Sequence, residues 1–162
     1  MAIDLMTTYA PQGTACDRIS RAMLVAVTSL VPGLANYKRV DRWSDVSVDE
    51  QSVRVIVEPG EVINREDGSA YAGSLEVSVM LRAPADSGAA TSWDMDRADM
   101  EACMHNAPAL VAALREADNG LPESTRWTAS TESAAGVDGD VAISVYSGTL
   151  YVPAPLTPIK EI

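Results

Sequence analysis

Phenylalanine is absent from this 162-residue sequence, and Trp and Tyr together bring the aromatic share to only 5%. Val, Leu, Ala and Met must therefore fill most of the core, and these side chains bury less area than aromatic rings. Only two cysteines are present, and Cys16 and Cys103 match neither a C-x-x-C nor a zinc spacing. We interpret them as free thiols of a reducing compartment. A core of this composition gains stability by packing against neighbouring subunits.

The charge is strongly one-sided, because 12 Lys and Arg residues are set against 23 Asp and Glu residues, for a formal net charge of −11. Such an acidic surface repels phosphate backbones, which argues against nucleic-acid binding through a basic face. The most apolar window, residues 22–31, is well short of the roughly 18 residues that span a bilayer, so we expect no membrane segment. Asp4 and Asp17 cancel Arg18 and Arg21 upstream of it, unlike the basic flank of a secretory signal.

Familiar catalytic motifs are also missing, since the sequence holds no G-x-S-x-G, Walker A, dinucleotide-binding or H-E-x-x-H pattern. The single histidine, His105, lies two residues from Cys103, a spacing that points the two side chains to nearly opposite faces of a helix. The acidic run Asp94–Glu101 lacks the central glycine of a calcium loop, and we interpret it as a solvated, dipole-favoured helix start. We therefore assign no catalytic, cofactor-binding or metal-binding residue, and we expect no cofactor.

Helical periodicity is clearest between a cap at Thr14 and a stop at Val31, before Pro32-Gly33. One stripe is apolar throughout: Ile19, Ala22, Met23, Ala26, Val27 and Leu30. The opposite side also carries Leu24, Val25 and Val31, so the helix is apolar nearly all round. Such a helix lies either deep inside its own domain or between two partners.

A second helix is predicted from a cap at Thr91 or Ser92 to about Ala117. Pro108 lies within it and disfavours helical backbone at the preceding residue. We therefore expect a kink or a restart near Asn106.

Between the helices, Ser52–Glu58 is predicted as a strand that Pro59-Gly60 ends. Val62–Arg65 and Tyr71–Arg82 are predicted as the arms of a long hairpin, joined through an Asp-Gly turn at residues 66–69. After the second helix we predict a strand within Ser124–Glu132. A turn at residues 136–140 and an alternating strand from 141 to Val152 follow it.

The predicted organisation is a single α+β domain over residues 14–152, with a short arm at 1–13 and an extended C-terminal arm at 153–162. Its antiparallel sheet contains the long hairpin and has two helices packed on one face. Three prolines within Pro153–Ile162 prevent a helix there. Leu156, Ile159 and Ile162 recur every three residues, which places them on one face of a polyproline-type strand and suits them to an apolar groove.

This order of elements, with the chain's size, acidity and lack of catalytic groups, resembles the tail-terminator and tail-completion family of long-tailed bacteriophages over about Thr14–Val152. The resemblance implies a structural protein of the virion, assembled in the host cytoplasm, and no enzyme activity. It implies a homo-oligomeric ring, expected to be a hexamer, that caps the tail tube, stops its polymerisation and joins it to the head connector or neck. Other neck, head-completion or baseplate proteins stay open as alternatives, and a small α+β enzyme using His105 or buried carboxylates is a more distant one.

Two sets of residues are predicted to serve such a ring. DNA would pass through its channel without specific binding, so carboxylates at projecting turns are expected to face the channel and repel phosphates. The channel set comprises Glu66, Asp67, Asp138 and Asp140. The subunit-interface set comprises Leu24, Val25, Val31, Leu156, Ile159 and Ile162.

Overall fold

A computed structural model of the chain describes residues 12–40, 50–64, 72–84, 90–131, 134–138 and 141–157. Its core is built around helix α1, Gln12–Leu30, which begins two residues before the predicted cap at Thr14. Five positions of the predicted stripe are confirmed as buried: Ile19, Ala22, Met23, Ala26 and Val27. Leu30 is 37% exposed because it is the last residue of the helix.

The predicted second helix is divided into α2, Ala90–Met104, and α3, Ala107–Ala117. The break at His105 and Asn106 confirms the predicted restart. Asn106 caps α3, and its side chain accepts a hydrogen bond from the Ala109 amide at 3.4 Å. Pro108 occupies the first turn of α3, where its missing N–H costs nothing. The described residues thus contain three α-helices where two were expected.

One sheet of six strands unites the described residues, in the order β1-β2-β3-β6-β4, and β5 pairs with β6. The strands are β1 Lys38–Arg39, β2 Ser52–Asn64, β3 Ala72–Pro84, β4 Arg126–Ala129, β5 Ala134–Asp138 and β6 Val141–Val152. A short 3-10 helix, Pro32–Asn36, connects α1 to β1. β1 runs parallel to β2, so the sheet is mixed, whereas a purely antiparallel sheet was expected.

The long hairpin is confirmed, and its first arm is longer than expected. β2 pairs with β3 from Ser52 opposite Arg82 to Asn64 opposite Ala72. The prediction that Pro59-Gly60 ends the strand is wrong, because the ladder continues past it through two shifts of register. On the side of β2 away from β3, the described residues supply only β1, which pairs with Ser52 and Val53. The missing N–H of Pro59 therefore breaks no ladder bond on that side.

The second predicted hairpin is formed by β5 and β6. Asp138 pairs with Val141, which leaves a two-residue connection at 139–140. The turn is therefore narrower than the predicted 136–140, since Gly136 lies inside β5 opposite Ile143. β5 is an edge strand with exposed residues along 134–137, among them Val137 at 70% exposure.

All three helices pack on one face of the sheet, which confirms the α+β class. The residues of β3 alternate as predicted, with Leu75, Val77, Val79 and Leu81 buried beneath the helices. Two hydrogen bonds tie α2 to this face. The Tyr146 hydroxyl donates to the Arg97 carbonyl at 3.1 Å, and the Trp127 indole N–H donates to the Met104 carbonyl at 2.8 Å.

Candidate interaction surfaces

The outward side of α1 is less apolar than predicted. Val25 is 48% exposed, as an interface residue requires, but its exposed neighbours Asp17, Arg21 and Ser29 are polar. Leu24 is half-buried and packs against the core. α1 therefore carries one isolated apolar contact point at Val25 rather than a second apolar face.

Val31 was predicted at the subunit interface, and this is wrong because its side chain is fully buried in the subunit's own core. α1 ends at Leu30, and the Val31 backbone is extended, with φ −120° and ψ 93°. This change of direction leads into the 3-10 helix and turns the Val31 side chain inward. A helical wheel continued through Val31 could not show that turn.

Leu156 was also predicted at an interface. This prediction is wrong too, because the Leu156 side chain is 3% exposed and belongs to the core. The described part of the C-terminal arm, Pro153–Thr157, lies against its own subunit. The Thr157 backbone N–H and hydroxyl both donate to the Gly120 carbonyl, at 3.1 and 2.8 Å. The predicted contacts of Ile159 and Ile162 lie outside the described residues.

The C-terminal arm is held by a buried ion pair between residues 100 positions apart, which local sequence patterns do not predict. Arg18 of α1 donates from Nε and Nη2 to the two carboxylate oxygens of Asp118, at 2.6 and 2.8 Å. Nη2 also donates to the Thr157 carbonyl at 2.7 Å. A Cβ on Gly120 would overlap both Arg18 and Thr157, so only glycine fits between them. We call Arg18, Asp118, Gly120 and Thr157 the C-terminal clasp.

Asp96 is a second buried carboxylate. Its acidic neighbours suggested a solvated helix start, but Asp96 is 7% exposed and accepts a hydrogen bond from the Tyr37 hydroxyl at 2.8 Å. Burial and this bond raise the pKa of Tyr37 well above its ordinary value. Gly33 leaves room for the carboxylate, because a Cβ there would overlap it. Asp96 thus joins α2 to the segment that follows α1.

Burial also governs the chemistry of the two thiols, neither of which forms a disulfide. Burial raises the pKa of Cys103 to about 11, and burial with nearby Asp17 and Glu58 raises the pKa of Cys16. Both are therefore protonated at neutral pH and are weak nucleophiles. His105 is exposed at the break between α2 and α3. Within the described ranges, no three potential ligands among His, Cys, Asp and Glu come together as a metal site.

The face of the sheet opposite the helices is not covered by any described element, and we call it the open sheet face. At its centre the ladder places Met80 beside Val145 of β6 and Arg54 of β2. Ile56 and Ile143 flank this row, and all three strands keep these side chains half-buried. A polar row crosses this face toward one end of the strands and consists of Glu58, Glu76 and Thr149. In it the Thr149 hydroxyl donates a hydrogen bond to the Glu76 carboxylate. Polar side chains lie between these apolar ones, since Ile56 shares its row with Ser78 and Ser147, whose hydroxyls are 3.1 Å apart, and Ile143 shares its row with Arg82. A face that mixes apolar and polar side chains in this way has the composition of a non-obligate protein interface.

A groove of about 350 Å³ lies at the edge of the sheet, where β4 meets the start of α3. Its lining consists of Ala107, Pro108, Val111, Thr125, Arg126, Trp127 and Thr128. We call this the β4 groove. Arg126 at its rim stacks on Tyr151, with the guanidinium 4.8 Å from the ring centre.

The predicted channel residues are only partly placed by the described structure. Asp138 is the last residue of β5, at the end of the second hairpin. Glu66, Asp67 and Asp140 lie outside the described residues. The expectation that these four carboxylates share one side of a ring stays a prediction.

The sequence matches no model of a known protein family and no curated protein. None of the helices in the described part of the chain combines the length and apolar character needed to cross a bilayer.

Proposed function

We propose that this chain is a structural subunit of a virion ring, of the kind that caps the tail tube of a long-tailed bacteriophage and joins it to the neck. The open sheet face carries the proposal. Its half-buried apolar side chains, Ile56, Met80, Ile143 and Val145, interspersed with polar ones, are suited to packing against a second copy of the chain. The family resemblance supplies the station in the virion, and the structure supplies a face on which copies could meet.

The size of the open sheet face suits such a contact. A strand of 13 residues, the length of β3, extends about 43 Å at 3.3 Å per residue. Four neighbouring strands separated by about 4.8 Å give a face on the order of 600–800 Å². A stable interface buries about 800 Å² from each partner, so one such face approaches what a subunit contact requires. Val25 on α1 offers a second, smaller contact point.

In this ring, the acidic excess would line part of the channel. Carboxylates of the channel set at the hairpin ends would repel DNA phosphates and let the polymer pass without specific binding. An outward, solvated position for the same carboxylates is the competing interpretation. A structure of the assembly showing a neutral or basic bore would reject the channel assignment.

Native mass spectrometry of the full chain tests the proposal, with a hexamer as the expected species. Met80→Asp places a charge at the centre of the open sheet face and should convert the ring to monomers that stay folded. Ala112→Asp, on the exposed side of α3, is the matched control and should leave the ring intact. A wild-type chain that is monomeric at all concentrations, or a ring unaffected by Met80→Asp, contradicts the proposal.

The station in the virion needs a separate assay. Added to polymerising tail tube protein of the same phage, the ring should stop elongation and yield tubes of limited length in negative-stain micrographs. Unlimited tubes beside intact rings would favour another neck, head-completion or baseplate role.

A further inference from the structure

The β4 groove runs along the outer edge of strand β4. Successive strand residues point to opposite faces of a sheet, yet Arg126, Trp127 and Thr128 all line the groove. A cavity that touches consecutive residues must therefore lie along the edge of the strand. The first turns of α3, through Ala107, Pro108 and Val111, form its other wall. A slot between an edge strand and a helix has the shape that an added β-strand requires.

The free edge of β4 has backbone groups directed into this slot. The Ser130 N–H donates to the Ser147 carbonyl of β6 at 2.8 Å. By the alternation of the ladder, the backbone groups of Thr128 and Arg126 also face β6. Hydrogen-bonded and outward residues alternate along an antiparallel pair, so the N–H and C=O of Trp127 and Ala129 point away from β6. No described strand lies beyond β4 to receive them. The opposite edge differs, because the Val55 carbonyl of β2 accepts a bond from Ser20 of α1.

A buried hydroxyl at the same place lacks a partner. Thr125, at the start of the groove, is 4% exposed, and across the described ranges its hydroxyl finds no hydrogen-bond partner. An unpaired buried hydroxyl costs free energy. A strand inserted beside β4 would bring backbone donors and acceptors within reach of it.

We infer that the β4 groove binds the N-terminal arm, residues 1–11, of a neighbouring copy as an added antiparallel or parallel strand. The inference rests on the proposed ring, since it needs a neighbour. Eleven residues precede α1, and the four residues of β4 extend only about 13 Å, so the arm is long enough to pair along the whole edge.

The sequence of the arm fits the two sides of the slot. Ile3 and Leu5 alternate with Asp4, so a strand that turns both apolar side chains toward α3 and Trp127 presents Asp4 on the open sheet face. Arg126 projects on that same face. The pairing therefore matches apolar with apolar and carboxylate with guanidinium.

The position of α1 favours a neighbour's arm over the subunit's own. Arg18, near the start of α1, contacts Asp118 after the end of α3, whereas the groove lies at the start of α3. Leu30, at the other end of α1, lines a cavity with Asn106 and Ala109 at the start of α3, so the two helices run antiparallel and Gln12 lies beyond Asp118. A subunit's own arm would have to run back along the six residues from Gln12 to Arg18 and the 11 residues of α3, about 25 Å. This distance takes about seven of the arm's 11 residues and leaves too few to set Ile3, Asp4 and Leu5 along β4. A neighbouring copy can present the arm without this detour.

Disulfide cross-linking in the full chain tests the inference. Asp4→Cys is combined in turn with Arg126→Cys and with Thr128→Cys, because residues opposite each other in neighbouring strands have Cβ atoms within about 5.5 Å. On a non-reducing gel, at least one pair should give a ladder of covalent oligomers. Asp4→Cys with Ala112→Cys is the matched control and should give none. No ladder from either test pair, or a bond formed only within one chain, overturns the inference.

Two further variants address the chemistry of the slot. Ala129→Pro removes an outward N–H without breaking a bond to β6, and should lower the cross-link yield at least tenfold, whereas Ala129→Val should not. If Ala129→Pro fails to fold, Arg126→Glu decides. It should weaken cross-linking of Thr128→Cys to Ala2→Cys or to Met6→Cys, which alternate onto the same face as Asp4, and Asp4→Arg should restore the yield. A yield unchanged by Arg126→Glu overturns the inference. Cross-linking of Thr128→Cys to Ile159→Cys in place of the arm would assign the groove to the C-terminal tail and overturn it likewise.

Native mass spectrometry of the same variants under reducing conditions separates this result from the proposed function. Hexamers that form no arm cross-link would overturn the arm inference and leave the ring in place. Monomers would overturn the ring and, with it, the exchange of arms between copies.

Discussion

The two faces of the sheet are built from alternate residues of the same strands, yet they are completed in different ways. Leu81 of β3 is fully buried beneath the helices, and its neighbour Met80 is half-buried on a face that no described element covers. On the helix-covered face, hydrogen bonds from Trp127 and Tyr146 fix α2 in place. The stability of the subunit therefore resides on one face, and we propose that its assembly uses the other.

The largest effect is expected on the helix-covered side from Arg18→Ala. The substitution leaves the Asp118 carboxylate buried without its partner and removes the anchor of Thr157. Breaking a buried pair in this way should lower the free energy of unfolding by about 3–5 kcal/mol, measured by urea denaturation. The double variant Arg18→Met, Asp118→Leu removes both charges and should recover part of the loss. Equal losses in the single and double variants would show that the ion pair is not the cause.

Adjacent positions of β3 compare the two faces directly. Leu81→Ala should cost about 2–5 kcal/mol, because it leaves a cavity in a closed core. Met80→Ala should cost about 1 kcal/mol or less in the monomer, since the lost side chain is only half-buried. Urea denaturation of the two variants under conditions that keep the chain monomeric checks the difference. Similar losses at both positions would mean that the open sheet face is also closed within the subunit.

The pH dependence of stability sharpens the comparison, since Cys103 and Tyr37 both belong to the helix-covered side. Burial raises the pKa of Cys103 from 9.0 to about 11, so the folded state favours the protonated thiol. Its contribution is complete below pH 9 and is lost as the pH rises through 11, a total of about 2–3 kcal/mol. The raised pKa of Tyr37 acts in the same direction above pH 10. The urea concentration at the midpoint of unfolding should decrease as the pH is raised from 8 to 11, and Cys103→Ala should reduce that decrease. If the variant shows the same dependence of the midpoint on pH, the Cys103 thiol is not its cause.

The smallest effect on stability is expected from Val25→Asp. Val25 is half-exposed among polar neighbours, so the free energy of unfolding should change by about 0.5 kcal/mol or less. If α1 contributes to the ring, size exclusion should nevertheless show weaker assembly. Ser29→Asp, one turn later on the same exposed side, adds the same single charge and is the control for charge alone. Normal assembly of a folded Val25→Asp ring would restrict the subunit contact to the open sheet face.

Features that depend on a few neighbouring residues were predictable. Pro108 required a helix restart, and Asn106 supplies the cap; the alternation from Leu75 to Leu81 required a half-covered strand. The Asp-Gly signal before Val141 correctly located a turn between paired strands. Of the predicted interface set, Val25 is exposed as expected, whereas neither of the two surfaces now proposed for binding was identified. The open sheet face arises where β2, β3 and β6 meet, and the β4 groove arises where β4 meets α3. Periodicity within one segment does not report such meetings.

By itself, the sequence determined the class of the fold, the core side of α1 and the long hairpin, because these follow from local backbone preferences and the spacing of apolar side chains. Only the tertiary structure decided that Val31 and Leu156 are core residues, and that Asp96 and Asp118 are buried. The reason is physical: burial depends on which distant segment returns to cover a side chain. Arg18 and Asp118, which are 100 positions apart, can satisfy each other only after α1 and the end of α3 have been brought together.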